Sequence, residues 1–345
     1  YYGDDNTIGG WGEYLVNYFN ADSVKFINKA EGGRSTRSFI NQGRLAEAMS
    51  EVRKGDYVFI QFGTNDQRTD TNAFMEHSVA LGTPDANGIY PTVPGVKSKT
   101  PDSIYNFYKD TDYPYAETFY SYNTGTFKWY LDQYITAVRQ AGGIPVLLTP
   151  ACRIFFDSNG KITSHFVENY GYVTAVRQVA EEQKVELIDM FNITKDLYES
   201  YGVFTTQGLH NIKEDGTVDL THYNKFGANL IAGKMADTIK NLNLSGVSEN
   251  VIVSNKEVAK TDSLKSANLV IVGGKGAAGD NEGDYRVDAA GFGNYISNYL
   301  SDKITVKNLA QTDATAKSFS RSEKYNEFLN SFKEGDYVMI AFTNE

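Results

Sequence analysis

Hydrophobic and polar positions alternate between two rhythms over roughly the first 240 residues. "YVFIQF" (57–62) is a continuous apolar run between "KGD" and "GTND", the pattern of a strand covered on both faces. Leu131, Tyr134, Ile135 and Val138 then recur at i, i+3, i+4 and i+7. That spacing predicts an amphipathic helix over "FKWYLDQYITAVRQ" (127–140), stopped by Gly142 and Gly143. "IPVLLT" (144–149) and "VELIDM" (185–190) read as strands. Val173, Val176, Val179 and Ala180 mark a helix between them, and Ala228, Ile231, Ala232 and Met235 mark a last one. "VKFIN" (24–28) is expected to be an earlier strand. Alternation of this kind implies a parallel sheet with helices on both faces, an α/β fold. In such sheets, sites gather beyond the carboxyl ends of the strands.

The pattern also repeats. "GWGEYLVNYF" (10–19) matches "GFGNYISNYL" (291–300), and "NKAEGGRSTRSF" (28–39) matches "NLAQTDATAKSF" (308–319). Gly55–Phe62 and Gly335–Phe342 share six of eight residues. The divisions expected are therefore a first domain over 1–243, a linker over 244–266 containing one short strand, and the first part of a second copy over 267–345. The second copy opens with "ANLVIVGGKG" (267–276), a strand whose equivalent in the first copy is expected before Tyr1. A vacant first-strand slot exposes apolar edges. One permuted arrangement would fill it with Asn268–Val272 and bring Lys275 into the site.

Composition narrows the function. A net charge of −10 disfavours nucleic acid as a partner, since nucleic acid requires a basic face. No apolar run approaches the ~18 residues of a membrane span, so no membrane insertion is expected. Cys152 is the one cysteine, which excludes an internal disulfide or a cysteine-rich metal site. Oligomeric state is not legible. Tyrosine is abundant (24 Tyr, 20 Phe), and its apolar ring with a polar tip suits sugar surfaces as well as ordinary packing.

Three short pieces sit where chemistry is expected. "GGRS" (32–35) follows the strand predicted at 24–28, "GTND" (63–66) follows the strand at 57–62, and "DLTH" (219–222) precedes the last helix. With "GWGEYL" and "DLTHYNKFGA" in the same order, the chain resembles the SGNH (GDSL-type) hydrolases. Within them it is most similar to the rhamnogalacturonan acetylesterase branch, over about residues 8 to 240 apart from an insertion at 67–126. The resemblance implies a flavodoxin-like α/β/α three-layer sandwich and a serine esterase, secreted or at the cell surface, that removes acetyl groups from a plant-type polysaccharide. It implies Gly33 and Asn65 as oxyanion donors and Asp219 and His222 as the acid–base pair. Its nucleophile is the serine of a Gly-Asp-Ser turn after the first strand, expected before Tyr1, and it requires no metal or cofactor.

These roles are chemically coherent. Ester cleavage needs a nucleophile, a base and donors for the developing oxyanion. Asp219, three residues before His222, can fix its imidazole tautomer, and Gly33 allows close backbone approach without a Cβ. Ser35 and Ser38 lie nearby but in no nucleophile elbow. Asn224 reads as a helix N-cap. Arg34 and Arg37 serve either a uronate carboxylate or structural pairing. His77, His165 and His210 read as structural or exposed. The insertion carries Tyr105, Phe107, Tyr108, Tyr113, Tyr115, Phe119, Tyr120 and Tyr122, either a sugar-stacking surface or a self-packed lid. In the second copy Lys275 stands at the nucleophile position, Asp313 at that of Gly33 and Glu345 at that of Asn65. A carboxylate there would repel an oxyanion, so that copy reads as degenerate. The alternative functions are a non-catalytic glycan-binding module and a lipase-like acylhydrolase.

Overall fold

The computed structural model describes residues 8–68, 77–110, 117–121, 124–163, 171–213, 215–252, 266–278, 291–294, 296–300 and 303–342. It begins with helices Trp11–Tyr14 (α1), Thr36–Asn41 (α2) and Arg44–Glu51 (α3), followed by strand Tyr57–Gln61 (β1). The insertion contributes Lys97–Lys99 (β2), Asp102–Tyr108 (α4) and Thr118–Tyr120 (β3). Helix Phe127–Gln140 (α5), strand Ile144–Leu148 (β4), helix Tyr172–Gln183 (α6) and strand Glu186–Ile188 (β5) come next. Helix Met190–Gln207 (α7), strands His210–Ile212 (β6) and Val218–Tyr223 (β7), and helix Lys225–Asn241 (α8) complete this part. The remainder holds Ala267–Gly273 (β8), Lys275–Ala278 (α9), Ile304–Asn308 (β9), Ala316–Phe319 (α10), Glu323–Leu329 (α11) and Tyr337–Ala341 (β10).

The order β1-β4-β5 is parallel throughout, with Ile60 level with Leu147 and Leu147 with Leu187. Successive strand side chains point to opposite faces. Val146, Leu148 and Ile188 therefore enter one core with α1, α7 and α8, while Ile60, Leu147 and Leu187 enter another with α2, α5 and α6. This is a helix–sheet–helix layering. Leu131, Ile135 and Val138, on the stripe read from the sequence, are essentially fully buried. Each such side chain contributes about 1.5–3 kcal/mol relative to exposure.

Val24–Asn28 is not a strand. β9, in the segment whose sequence matches it, is one, because β8 lies alongside with Leu269 level with Val306. Among the described residues nothing offers 24–28 such a ladder. The second sheet has the order β10-β8-β9, so β8 pairs with strands that both lie after residue 300. The permuted arrangement is thereby ruled out: β8 does not fill a slot beside β1.

Part of the segment expected as a linker is packed. Leu244 and Ser248 are buried, and Ser248 Oγ donates to the Ile239 carbonyl at the end of α8. Asn20 N–H donates to the Asn250 carbonyl (2.9 Å) and Ile252 N–H to that of Tyr18 (2.7 Å). Residues 244–252 thus pack onto the first part of the chain, and 253–265 lie outside the described residues.

Local geometries recur at a separation of 280 residues. Ala30 N–H donates to Asn28 Oδ1 at 3.1 Å, as Ala310 N–H does to Asn308 Oδ1. Arg53 N–H donates to Asp56 Oδ2 (2.8 Å), and Lys333 N–H to Asp336 Oδ2 (3.0 Å). Ser35 and Ser38 cap α2 reciprocally, as Thr315 and Ser318 cap α10. Phe39 lies 5.6 Å from Phe62 across ring centres, and Phe319 the same from Phe342. Short polar motifs dictate the first three, and shared core packing the last.

In the insertion, β2 and β3 pair antiparallel and α4 buries Ile104 and Tyr108. Asn41, at the end of α2, bonds both the N–H (2.9 Å) and the carbonyl (3.1 Å) of Tyr120. Gln42 Nε2 donates to the Tyr108 hydroxyl (3.0 Å). The insertion is therefore docked on α2 with Tyr108 and Phe119 buried, while Tyr105 and Phe107 stay exposed. Tyr113, Tyr115 and Tyr122 lie outside the described residues.

Candidate active site

The chain leaves β1 at its carboxyl end and turns through Gly63-Thr64-Asn65-Asp66. Asp66 is fully buried. Its Oδ1 accepts from the N–H (2.9 Å) and hydroxyl (2.5 Å) of Thr36, and its Oδ2 from the N–H of Gly63 (3.0 Å). Burial pushes the Asp66 carboxyl above its usual range, opposed by these hydrogen bonds. One carboxylate thus ties the turn after β1 to the start of α2. Asn65 Nδ2 donates to the Arg34 carbonyl (3.2 Å), so Asn65 lies against the loop that carries Gly33. Gly33 has φ +74°, a left-handed conformation suited to glycine.

His77, from the insertion, reaches the same loop: its Nε2 lies 3.0 Å from the Gly33 carbonyl, which can only accept. The fully buried Arg37 donates from Nη2 to the His77 carbonyl (2.5 Å). Arg34 donates to the Gly32 carbonyl (2.7 Å) and to Gln42 Oε1 (3.0 Å). Both arginines are engaged in structural pairing, the second of the two readings of the sequence. Ser35 and Ser38 are fully buried in the α2 cap.

Asp219 and His222 lie on β7, not in a simple turn. His210 pairs opposite Tyr223 and Ile212 opposite Val218, so Asn211 alone faces Asp219–His222. The extra residues bulge out of the ladder, a device that re-aims side chains. Asp219 Oδ1 accepts from the N–H groups of Thr221 (2.8 Å) and His222 (3.0 Å). His222 Nδ1 donates to Asp219 Oδ2 at 2.8 Å. Burial raises the Asp219 carboxyl, but the hydrogen bonds from His222 and the two N–H groups outweigh it and hold the group below its usual 3.8. The His222 side chain is 43% exposed and that of Asp219 14%. Asn224 caps α8, accepting from Gly227 N–H (2.8 Å) and donating to the carbonyls of Gly208 and His210.

Short connections join the strands that lead to the two pairs. Gly9 N–H donates to the Tyr223 carbonyl (3.0 Å), next to His222, while Trp11 Nε1 donates to Gln61 Oε1 (2.8 Å) at the end of β1. Residues 9–11 therefore span from the His222 strand to the end of β1. From the loop after β4, Ile154 N–H donates to the Leu220 carbonyl (3.3 Å). Arg153 is pulled down to about 10 by burial and by the Arg68 charge, with the Asp219 carboxylate opposing.

Sequence reading missed Asp66, His77 and His210 as partners of these loops. Asp66 stood inside a quoted motif. His77 and His210 carry no local signal, because their partners lie far along the chain or on a backbone atom. His210 is buried, with Nδ1 2.9 Å from the Asp219 carbonyl. His165 lies outside the described residues. In the second sheet Lys275 opens α9 and is exposed, as is Asp313, while Glu345 lies outside the described residues. Among the described residues no cluster of metal-ligating side chains occurs, and no helix is long and apolar enough to cross a membrane.

Residues 1–230 match the GDSL-like Lipase/Acylhydrolase family, and the chain belongs to that family of ester-cleaving hydrolases. It is 30% identical over 256 residues to the Probable rhamnogalacturonan acetylesterase YesY of Bacillus subtilis, covering 73% of this chain and 92% of that one. Rhamnogalacturonan acetylesterase RhgT of the same organism is 30% identical over 245 residues, covering 69% and 83%. A Rhamnogalacturonan acetylesterase of Emericella nidulans is 25% identical over 258 residues, covering 74% and 88%.

Proposed function

We propose that the protein removes acetyl groups from an acetylated rhamnogalacturonan-type polysaccharide by a serine mechanism. The observation that carries this reading is the 2.8 Å bond between His222 Nδ1 and Asp219, on a strand that residues 9–11 link to the end of β1. With Nδ1 donating to the carboxylate, Nε2 is the nitrogen that takes the serine proton. The serine oxygen attacks the acetyl carbonyl carbon. The Gly33 N–H and the second hydrogen of the Asn65 amide stabilise the resulting oxyanion, each worth about 3 kcal/mol. Collapse breaks the bond to the sugar oxygen, which leaves with the proton from His222. Water, deprotonated by His222, then releases acetate and restores the serine.

The serine belongs, on this reading, to a strand filling the slot between Val24–Asn28 and β1, ahead of Tyr1. The second sheet supports that position. There β8 occupies the equivalent slot, and the turn after it touches both neighbouring loops. Gln311 N–H donates to the Gly273 carbonyl (3.0 Å) and Gly274 N–H to that of Ala341 (2.9 Å). The equivalents of Gln311 and Ala341 are Glu31 and Gln61, which precede Gly33 and Asn65 in the chain. By the same token residues 267–345 are read as a degenerate copy that keeps the fold and not the chemistry. A polymeric substrate implies action outside the cell.

Acetate release by the full-length protein tests this. The expected order is acetylated rhamnogalacturonan above acetylated xylan, with negligible cleavage of long-chain esters. Preference for long-chain esters would instead support a lipase-like enzyme, and binding without hydrolysis a glycan-binding module.

A further inference from the structure

His210 has no place in the mechanism above, yet it is bonded to both ends of the segment that carries Asp219 and His222. We infer that His210 is a positioning residue: its Nδ1–H, by holding the Asp219 carbonyl, fixes the bulge that aims the Asp219 carboxylate at His222. The inference rests on Asp219 and His222 acting as the catalytic pair.

A bulge takes backbone groups out of the ladder, and a buried carbonyl left without a donor is costly. Asn211 alone cannot supply partners for Asp219–His222. The His210 ring does so for Asp219, at 2.9 Å. A carbonyl only accepts, so the ring must carry its proton on Nδ1. At the other end of the bulge the His210 backbone pairs with Tyr223, and its carbonyl accepts from Asn224 Nδ2 (3.1 Å). The bulge is therefore pinned at Asp219 by the side chain and at Tyr223 and Asn224 by the main chain.

The ring itself has little freedom. It packs edge-on between Tyr198 (5.7 Å) and Tyr223 (5.2 Å), whose hydroxyls bond each other at 3.1 Å. Among the described residues these tyrosines, Asp219 and His222 are titratable groups that face it. Nε2 is buried with no hydrogen-bond partner among the described residues. A neutral imidazole with the proton on Nδ1 fits this site, and a cation does not.

The test is histidine tautomer mapping by ¹H–¹⁵N NMR on the 345-residue chain, which needs no esterase activity. His210 is expected as the Nδ1–H tautomer. The Nδ1-bound proton of His222 is expected to exchange slowly in the wild type and in His210→Asn, whose amide nitrogen takes the place of Nδ1. In His210→Leu that exchange should be about tenfold faster, the equivalent of one lost hydrogen bond. An Nε2–H tautomer for His210 in the wild type would overturn the inference, even if His210→Leu fails to fold. A folded His210→Leu with unchanged His222 exchange would overturn it as well. In the full-length enzyme His210→Leu should lower kcat with little change in KM, and His210→Asn should recover most of the loss. If no esterase activity is found at all, the proposed function fails while the tautomer result stands on its own.

Discussion

Replacing His222 by Ala is expected to lower acetate release by about 10⁴-fold or more, the scale seen when the base of a serine triad is removed. On the proposed mechanism the His222 ring takes and returns the serine proton, and its 2.8 Å bond to Asp219 fixes which nitrogen is free to do so. Asp219→Asn should cost a similar factor for a different reason. The asparagine oxygen can still accept from the Thr221 and His222 N–H groups, so the bulge survives. Its NH₂, however, would face His222 Nδ1 and force the proton onto Nε2, leaving no lone pair for the serine. Initial rates on the acetylated polymer check both. A loss under tenfold in a folded variant would remove His222 from the chemistry.

A second large effect is expected on stability against pH. Burial pulls the His210 imidazole from its ordinary 6.5 to about 4, with the Asp219 carbonyl and carboxylate opposing. The folded protein therefore binds this proton less tightly than the unfolded chain. Stability is full above about 6.5 and is lost as pH falls toward 4, by about 2–3 kcal/mol at pH 4.5. Asp219 works in a separate window. Its carboxyl is depressed, so its contribution is present above 3.8 and is lost only below that. Urea midpoints at pH 7 and 4.5 should differ in the wild type and differ much less in His210→Asn. Equal midpoints in the wild type would contradict the buried neutral ring.

The parts of the fold legible in the sequence are those set by local pattern. The i, i+3, i+4, i+7 stripe at Leu131–Val138 places a helix over Phe127–Gln140, because that spacing alone defines a buried face. Strand formation depends on a neighbour, and here local pattern fails. "VKFIN" and "ITVKN" read alike, yet among the described residues only the second has a ladder beside it. Helix α7 went unread, as its two pieces meet at Gly202 (φ +73°) and lack one continuous stripe. At the site, Gly33, Asn65, Asp219 and His222 stood in short motifs and were named through the family resemblance that those motifs carry. The supports beneath them could not. His77 is 44 residues from Gly33 in sequence, and His210 binds a backbone oxygen that no side-chain pattern reveals.

Central to the account is a serine, on a strand beside β1, that reacts with the help of His222. The most direct measurement is labelling of the full-length protein with a fluorophosphonate, with the modified peptide located by mass spectrometry. The account predicts one labelled serine outside residues 8–342, with labelling lost in His222→Ala. Labelling at Ser35, Ser38 or any other serine of residues 8–342, or labelling indifferent to His222, would contradict it.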